Sequence, residues 1–238
     1  MKSRPILFSS AMVRAIIAGR KSQTRRIFWQ AAGPSLDIDV DAQLGVAVLS
    51  WLHGPGPGHE VQERTARHAC PYGAPGDQLW VREEHYRYGH WEKVTGQQRR
   101  TRTGRQRWRF VADTSEVLFD APPGIRLGRH HRDPATRAWH KRLARFMPRA
   151  FSRITLEIVE VRVQRLQEIS EDDARAEGCS GTDPEPAAEG GTIYAWHGRS
   201  SAPCPRAHFA TLWDSINGKR CPWSSSPWCW CLTFRRLA

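Results

Sequence analysis

"SRITLEIVEVRVQRLQEISEDDARAEG", residues 152–178, is the stretch on which the fold turns. Ile154, Leu156 and Ile158 alternate with Thr155 and Glu157, the period-2 pattern of a half-buried strand. The pattern then changes. In "ISEDDARAEG" Ser170 precedes an acidic run, where a hydroxyl can cap orphan backbone N–H groups and carboxylates favour the positive end of a helix. Gly178 stands where such a helix closes. A long strand therefore feeds a short acidic helix.

Similar elements lie on either side. Residues 9–20 read as a helix capped by Ser9 or Ser10, with Met12, Ala15 and Ile16 on one face and Gly19 at its end. "CPYGAPGDQLWVREEHY", residues 70–86, is a Pro/Gly turn delivering a strand over 78–83, Leu79 and Val81 on one side and Trp80 on the other. "HFATLWDSI", residues 208–216, is an amphipathic helix whose buried face is Phe209, Leu212, Trp213 and Ile216. "WCWCLTFRRL", residues 228–237, is an apolar strand. Trp80, Trp213, Trp228 and Trp230 fall in these elements and are expected in the core. Residues 31–69 are mixed, with "HGPGPGH" at 53–59 as loop punctuation. Several strands without regular βαβ alternation predict an α+β fold built on a small mixed barrel.

The chain has 238 residues, enough for one large domain or one domain with insertions. Hydrophobic residues make up 39% and charged residues 25%, which excludes wholesale disorder. Lys and Arg number 36 against 24 acids, and the resulting +12 favours a polyanionic partner, nucleic acid first. No stretch approaches the roughly 18 consecutive apolar residues of a spanning helix. The basic N-terminus has an apolar run broken by Ser9, Ser10 and Arg14, so a mature, cytoplasmic protein without membrane attachment is expected. Cysteines occur at 70, 179, 204, 221, 229 and 231 without a CxxC. Reduced thiols are expected, Cys229 and Cys231 acting as small apolar residues, and no metal or cofactor is called for.

The basic character is concentrated. "AGRKSQTRR", residues 18–26, packs Arg20, Lys21, Arg25 and Arg26 around Ser22 and Thr24. Residues 95–109 hold Arg99, Arg100, Arg102, Arg105, Arg107 and Arg109 with no acid, and Trp108 offers a stacking surface beside them. Residues 126–149 continue the theme. These arms are either phosphate contacts or solvated loops. "FMPRAFSRI", residues 146–154, is a candidate rim, where Arg149 and Arg153 can meet phosphate. Glu83, at the end of the "QLWVRE" strand, either faces a cleft or forms a strand-end ion pair, with Arg82 available to neutralise it.

Taken in order, "AGRKSQTRR", "PGDQLWVRE", "SRITLEIVEVRVQRLQEISEDDARAEG" and "LWDSINGKR…PWCWCLTFRR" resemble an ASCH domain of the PUA-like superfamily, in particular the longer phage and prophage members. The matching segments are about residues 4–28, 70–86, 139–178 and 207–237. The resemblance implies a single domain, a mixed β-barrel with flanking helices, carrying insertions at about 30–69, 87–138 and 179–206. It implies a cleft that handles RNA or modified nucleosides. Small bacterial members of the superfamily are N(4)-acetylcytidine amidohydrolases, whose pattern G-[RK]-K-T-x-T carries over to Lys21 and Thr24, with Ser22 in place of the first threonine. Their catalytic glutamate carries over to Glu177. The implied roles are Thr24 as nucleophile, Lys21 as its base and Glu177 as the acid for the leaving amine. Beside them, Arg20, Arg25, Arg26, Glu83, Arg149 and Arg153 are read from the chain as substrate contacts. The plain alternative is a basic helix end in which Glu177 merely pairs with a cation. Rival functions are a non-catalytic reader of RNA or modified bases and a ribonuclease.

Overall fold

The computed structural model describes residues 1–29, 37–53, 62–96, 101, 103–129, 134–179 and 204–237. Arg99, Arg100, Arg102 and Arg132, residues 54–59 of the expected loop, and nearly all of the insertion at 179–206 lie outside the described residues. The elements of the first half are β1 (Ser3–Leu7), α1 (Ser10–Ile17), β2 (Gln23–Ile27), β3 (Asp37–Asp41), β4 (Val46–His53), β5 (Gln62–Ala69), β6 (Gln78–Arg82) and β7 (His85–Lys93). Those of the second are β8 (Trp108–Ala112), β9 (Ala138–Arg142), β10 (Thr155–Arg165), α2 (Glu171–Ala176), α3 (Pro205–Asn217) and β11 (Trp228–Arg236), with short 3-10 turns between. The fold is α+β and strand-rich. No helix of the described residues is long and apolar enough to cross a membrane.

By internal contacts the chain divides into two compact units, one of Met1–Arg4, Met12–Trp80 and Ile154–Ala238, the other of Pro5–Ala11 and Val81–Arg153. The largest sheet has the order β1-β6-β10-β11-β2. Its centre is the antiparallel pair β10 and β11, which runs from Leu156 opposite Arg236 to Arg165 opposite Trp228 with an irregularity between Ile158 and Glu160. Leu156, Ile158, Val161, Leu232 and Cys231 are wholly buried, so β10 and β11 are the core of the first unit. β2 pairs with β11 alone, Gln23 opposite Thr233 and Ile27 opposite Cys229. Among the described residues the sheet is therefore open at β2, where the sequence reading expects barrel closure.

The mixed stretch 31–69 is the antiparallel sheet β3-β4-β5, which the sequence reading leaves unassigned. β3, "DIDVD", alternates Ile38 and Val40 with exposed aspartates over only five residues, β4 buries Ala47 and Leu49, and β5, "QERTARHA", has no apolar alternation. The arm 87–138 likewise contributes β8 and most of β7 to the sheet β8-β7-β9 of the second unit. Below β11, a cluster of Leu166, Ile169, Ala174, Phe209, Trp213, Cys229 and Cys231 seats α2 and α3. Phe209 and Trp213 fulfil the expected buried face of α3, but Ile216 is half exposed, because α3 reaches its C-terminal turn past that cluster. Trp230 is buried, whereas Trp80 and Trp228 are only partly so.

Candidate functional site

Two helix ends build the site in the first unit. At the end of α1, Gly19 takes φ +73°, its N–H donates to Ile16 O at 3.1 Å and the Arg20 N–H to Ala15 O at 2.9 Å. At the end of α2, Gly178 takes φ +93°, its N–H donates to Arg175 O at 2.8 Å and the Cys179 N–H to Ala174 O at 3.1 Å. Both are Schellman caps, which turn the chain sharply while satisfying the last helical carbonyls. The Ser170 hydroxyl caps the other end of α2 by accepting from the Asp173 N–H at 3.0 Å. Ser22 then fastens the two turns together: its N–H donates to Ala176 O at 2.8 Å, and its carbonyl accepts from the Phe234 N–H at 2.8 Å.

Lys21 is consequently carried inward, its side chain without exposed surface. Its ammonium donates to Glu177 Oε2 at 2.6 Å, to Glu177 O at 2.8 Å and to Gln23 O at 2.8 Å. An ammonium has three donors, and these bonds use all of them. The Gln23 carbonyl belongs to the open edge of β2. Ser22 and Phe28 exchange backbone bonds with β11, so the odd-numbered carbonyls between them point away from it. Lys21 thus occupies the position a further strand would take. Burial lowers its pKa below the usual 10.5, Glu177 opposes this by charge and hydrogen bond, and Arg26 adds to the lowering.

Glu177 and Arg25 are buried with it. Glu177 Oε1 lies 3.8 Å from Arg25 Nη1 and accepts no hydrogen bond there. Arg25 Nη2 donates to Asp173 Oδ2 at 2.6 Å and Nη1 donates to the Gln23 side-chain oxygen. Gln23 Nε2 in turn donates to Asp173 Oδ1 at 3.0 Å. Arg162 on β10 extends the network, donating to Asp173 Oδ1 at 3.3 Å and pairing with Glu160 at 3.2 Å. Burial pushes the Asp173 carboxyl up, but the Gln23 and Arg25 hydrogen bonds and the Arg25 and Arg162 charges outweigh it and hold it below 3.8.

Gln23 and Arg25 share the α2 face of β2, so strand alternation puts Thr24 and Arg26 on the opposite face. Thr24 is buried opposite Leu232, and its hydroxyl forms no hydrogen bond among the described residues. Arg26 lies opposite Trp230, half-buried; burial lowers its pKa, and Tyr72 and Glu177 pull it back. Lys21 and Glu177 are therefore in direct contact, with Thr24 one peptide from the ammonium. Arg25, expected to bind substrate, is instead a buried brace behind Glu177, because the strand period turns it to the α2 face. Arg20 is exposed. Asp173, Gln23, Arg162 and Tyr72 are the residues that sequence reasoning misses; only the spacing of Gln23 and Arg25, two apart on a strand, points to any of them.

The remaining expected residues belong to the second unit. Glu83 is buried and accepts a bidentate pair from Arg153, Nε to Oε1 at 2.9 Å and Nη2 to Oε2 at 3.0 Å. The Arg153 guanidinium also lies 4.0 Å from the Phe119 ring centre. Arg82, the neutraliser expected for Glu83, donates instead to the Arg145 carbonyl. Alternation along β6 accounts for this, since Arg82 and Glu83 point to opposite sides. Arg149 is exposed.

The thiols of Cys70 and Cys231 are pushed up to about 11 and that of Cys179 to about 12 by burial, and that of Cys229 is raised further. Such thiols stay protonated and pack as apolar groups. Among the described residues no three His, Cys, Asp or Glu side chains are grouped to hold a metal ion. Comparison with models of known protein families, with curated proteins and with solved structures finds no match for this chain.

Proposed function

We propose that this chain is an ASCH-type, PUA-like hydrolase directed at RNA or a nucleoside, an amidohydrolase that deacylates N(4)-acetylcytidine. The observation that supports it is the buried 2.6 Å contact of Lys21 with Glu177, two residues 156 positions apart, one peptide away from Thr24. A buried lysine with a lowered pKa beside a carboxylate can pass its proton across that bond, leaving a neutral amine and a carboxylic acid. Thr24 Oγ1 then attacks the acetyl carbon and gives its proton to Lys21. The C–N bond breaks as Glu177 protonates N4 of the leaving cytidine. Water attacks the acetyl-threonine ester, giving one proton to Glu177 while Lys21 returns one to Thr24, so acetic acid leaves, ionising in solution, and the neutral amine and carboxylic acid are restored. Arg26, on the Thr24 face, suits the oxyanion that forms on the way.

One observation favours a second reading, a non-catalytic reader of modified bases. All three Lys21 protons are donated, so one must leave before the amine can serve as a base. Acetate release from N(4)-acetylcytidine separates the two. The hydrolase predicts turnover by the native protein, none by Thr24→Ala, and partial activity in Thr24→Ser, with nucleoside binding retained in both. Loss of the base at Lys21 slows turnover by roughly 10²–10⁴-fold. Tight binding of the nucleoside by the native protein without any acetate release overturns the hydrolase and leaves the reader.

A further inference from the structure

Four cations of the second unit have acids beside them: Arg153 has Glu83, Lys141 has Glu84, Arg109 has Glu92 and Arg137 has Asp113. Arg87, Arg142 and Arg145 do not. Among the described residues none of the three has a carboxylate within ion-pair distance, and the segment "RLARFMPRAFSR", residues 142–153, contains no acid at all. Burial, and then the neighbouring Arg87 charge, disfavour the charged form of Arg142. Like charges gathered without counter-ions lower their energy by taking an anion.

Aromatic rings take the place of acids. The Arg142 guanidinium carbon lies 4.7 Å from the Trp91 ring centre, 4.5 Å from Phe110 and 5.3 Å from Phe146. Arg145 lies 5.0 Å from the same Phe146 ring, and Arg87 lies 4.6 Å from Phe151. Phe146 is 53% exposed in the 3-10 turn after β9. The exposed ring thus stands beside two guanidiniums.

We propose that Phe146, with Arg142, Arg145 and Arg87, forms a contact surface for single-stranded nucleic acid. A base stacks on the Phe146 ring and backbone phosphates meet the guanidiniums. A paired base has both faces covered by its neighbours, so a lone exposed ring selects unpaired strands over duplex. An acidic peptide would satisfy the arginines but would leave the ring without a planar partner. The inference rests on the nucleic-acid-directed reading above and narrows its substrate class to unpaired strands.

The test is a fluorescence-anisotropy titration of the full chain with labelled oligouridine and oligodeoxythymidine of about 12 nucleotides, within the site sizes such surfaces cover, and with a duplex of equal length. The single strands bind and the duplex binds more weakly. Phe146→Ala weakens single-strand binding by roughly 5- to 150-fold, the range for losing one stacked base, while Phe146→Trp retains it. Arg145→Ala lowers the slope of log K against log salt by about 0.7, one phosphate contact. Both altered residues are exposed, and circular dichroism of each variant checks that the fold is kept. Native affinity and salt slope in Phe146→Ala and Arg145→Ala, or a duplex bound as tightly as the strands, overturns the proposal. These oligonucleotides carry no acetyl group, so the outcome is independent of acetate release from the free nucleoside, and either reading can fail alone.

Discussion

Arg25 shows how the strand period reassigns a residue. Its neighbours in "AGRKSQTRR" suggest a surface cation, yet its guanidinium is buried between Asp173 and Glu177. Removing it takes the 2.6 Å ion pair from Asp173, which keeps only Arg162 at 3.3 Å, and takes the second cation from Glu177, which keeps Lys21. Arg25→Ala is therefore expected to destabilise by about 3 kcal/mol, the lower end for breaking a buried pair, since Asp173 retains some solvent contact. Urea denaturation at neutral pH measures this, and a change within a few tenths of a kcal/mol would return Arg25 to the surface role. The cysteines give a second residue-scale expectation. With thiols held at about 11 and about 12, Cys70, Cys179 and Cys231 stay unreactive toward iodoacetamide in the native protein, as does Cys229, whereas the partly exposed Cys204 and Cys221 are modified. Mass spectrometry of peptides after labelling with and without denaturant distinguishes the two groups.

Among the elements, α2 positions the most chemistry for its length. Six residues suffice because both ends are capped, at Ser170 and Gly178, and because Ala174 anchors the helix in the core. The two glycines that end α1 and α2 make a controlled comparison. Each has positive φ, so alanine at either costs about 1–2 kcal/mol in backbone strain. A Cβ at Gly19 meets nothing within 4 Å, whereas at Gly178 it lies 3.4 Å from Ala15 Cβ and 3.5 Å from Lys21 Cβ. Gly19→Ala and Gly178→Ala are thus expected to lose similar stability. Only the second sits against Lys21, so it alone should lower acetate release in the assay above. Equal loss of activity in both variants would show that the α2 end does not position the Lys21–Glu177 contact.

For the molecule as a whole, acid stability follows from carboxyls held below their usual value. Asp173 is lowered as described, and Asp77 is lowered first by the Lys2 N–H, at 2.6 Å, with Ala74 also donating to it. A carboxyl whose folded pKa is depressed binds fewer protons folded than unfolded, so its stabilisation is complete above the unfolded value and is lost as pH falls through the folded one. The urea midpoint should accordingly hold down to about pH 4 with respect to these groups and drop below it. In Arg25→Ala the loss below that pH should be smaller, because Asp173 then titrates nearer its unfolded value and contributes less to the pH dependence. An unchanged acid limb in that variant would mean that Arg25 does not hold the Asp173 charge.

The parts of this architecture legible in the chain are those governed by a few neighbouring residues. Ser170 and Gly178 bound α2, Gly19 ends α1, and the alternation from Ile154 to Ile158 marks β10, because capping bonds, positive φ and period-2 burial all act locally. Sheet β3-β4-β5 is not read from the chain, since the alternation of β3 covers only five residues and the mostly polar β5 has no apolar alternation. The pairing of Lys21 with Glu177 was legible only through a family resemblance. Its burial and its seat on the Gln23 carbonyl were not, because an ammonium reads as surface until a carboxylate arrives from 156 positions away to offset its desolvation. The same holds for Arg25 and Thr24. Adjacent on one strand, they take opposite faces by alternation, and which of them meets α2 is decided only by the pairing of β2 with β11 and the packing of α2 on one side of that pair.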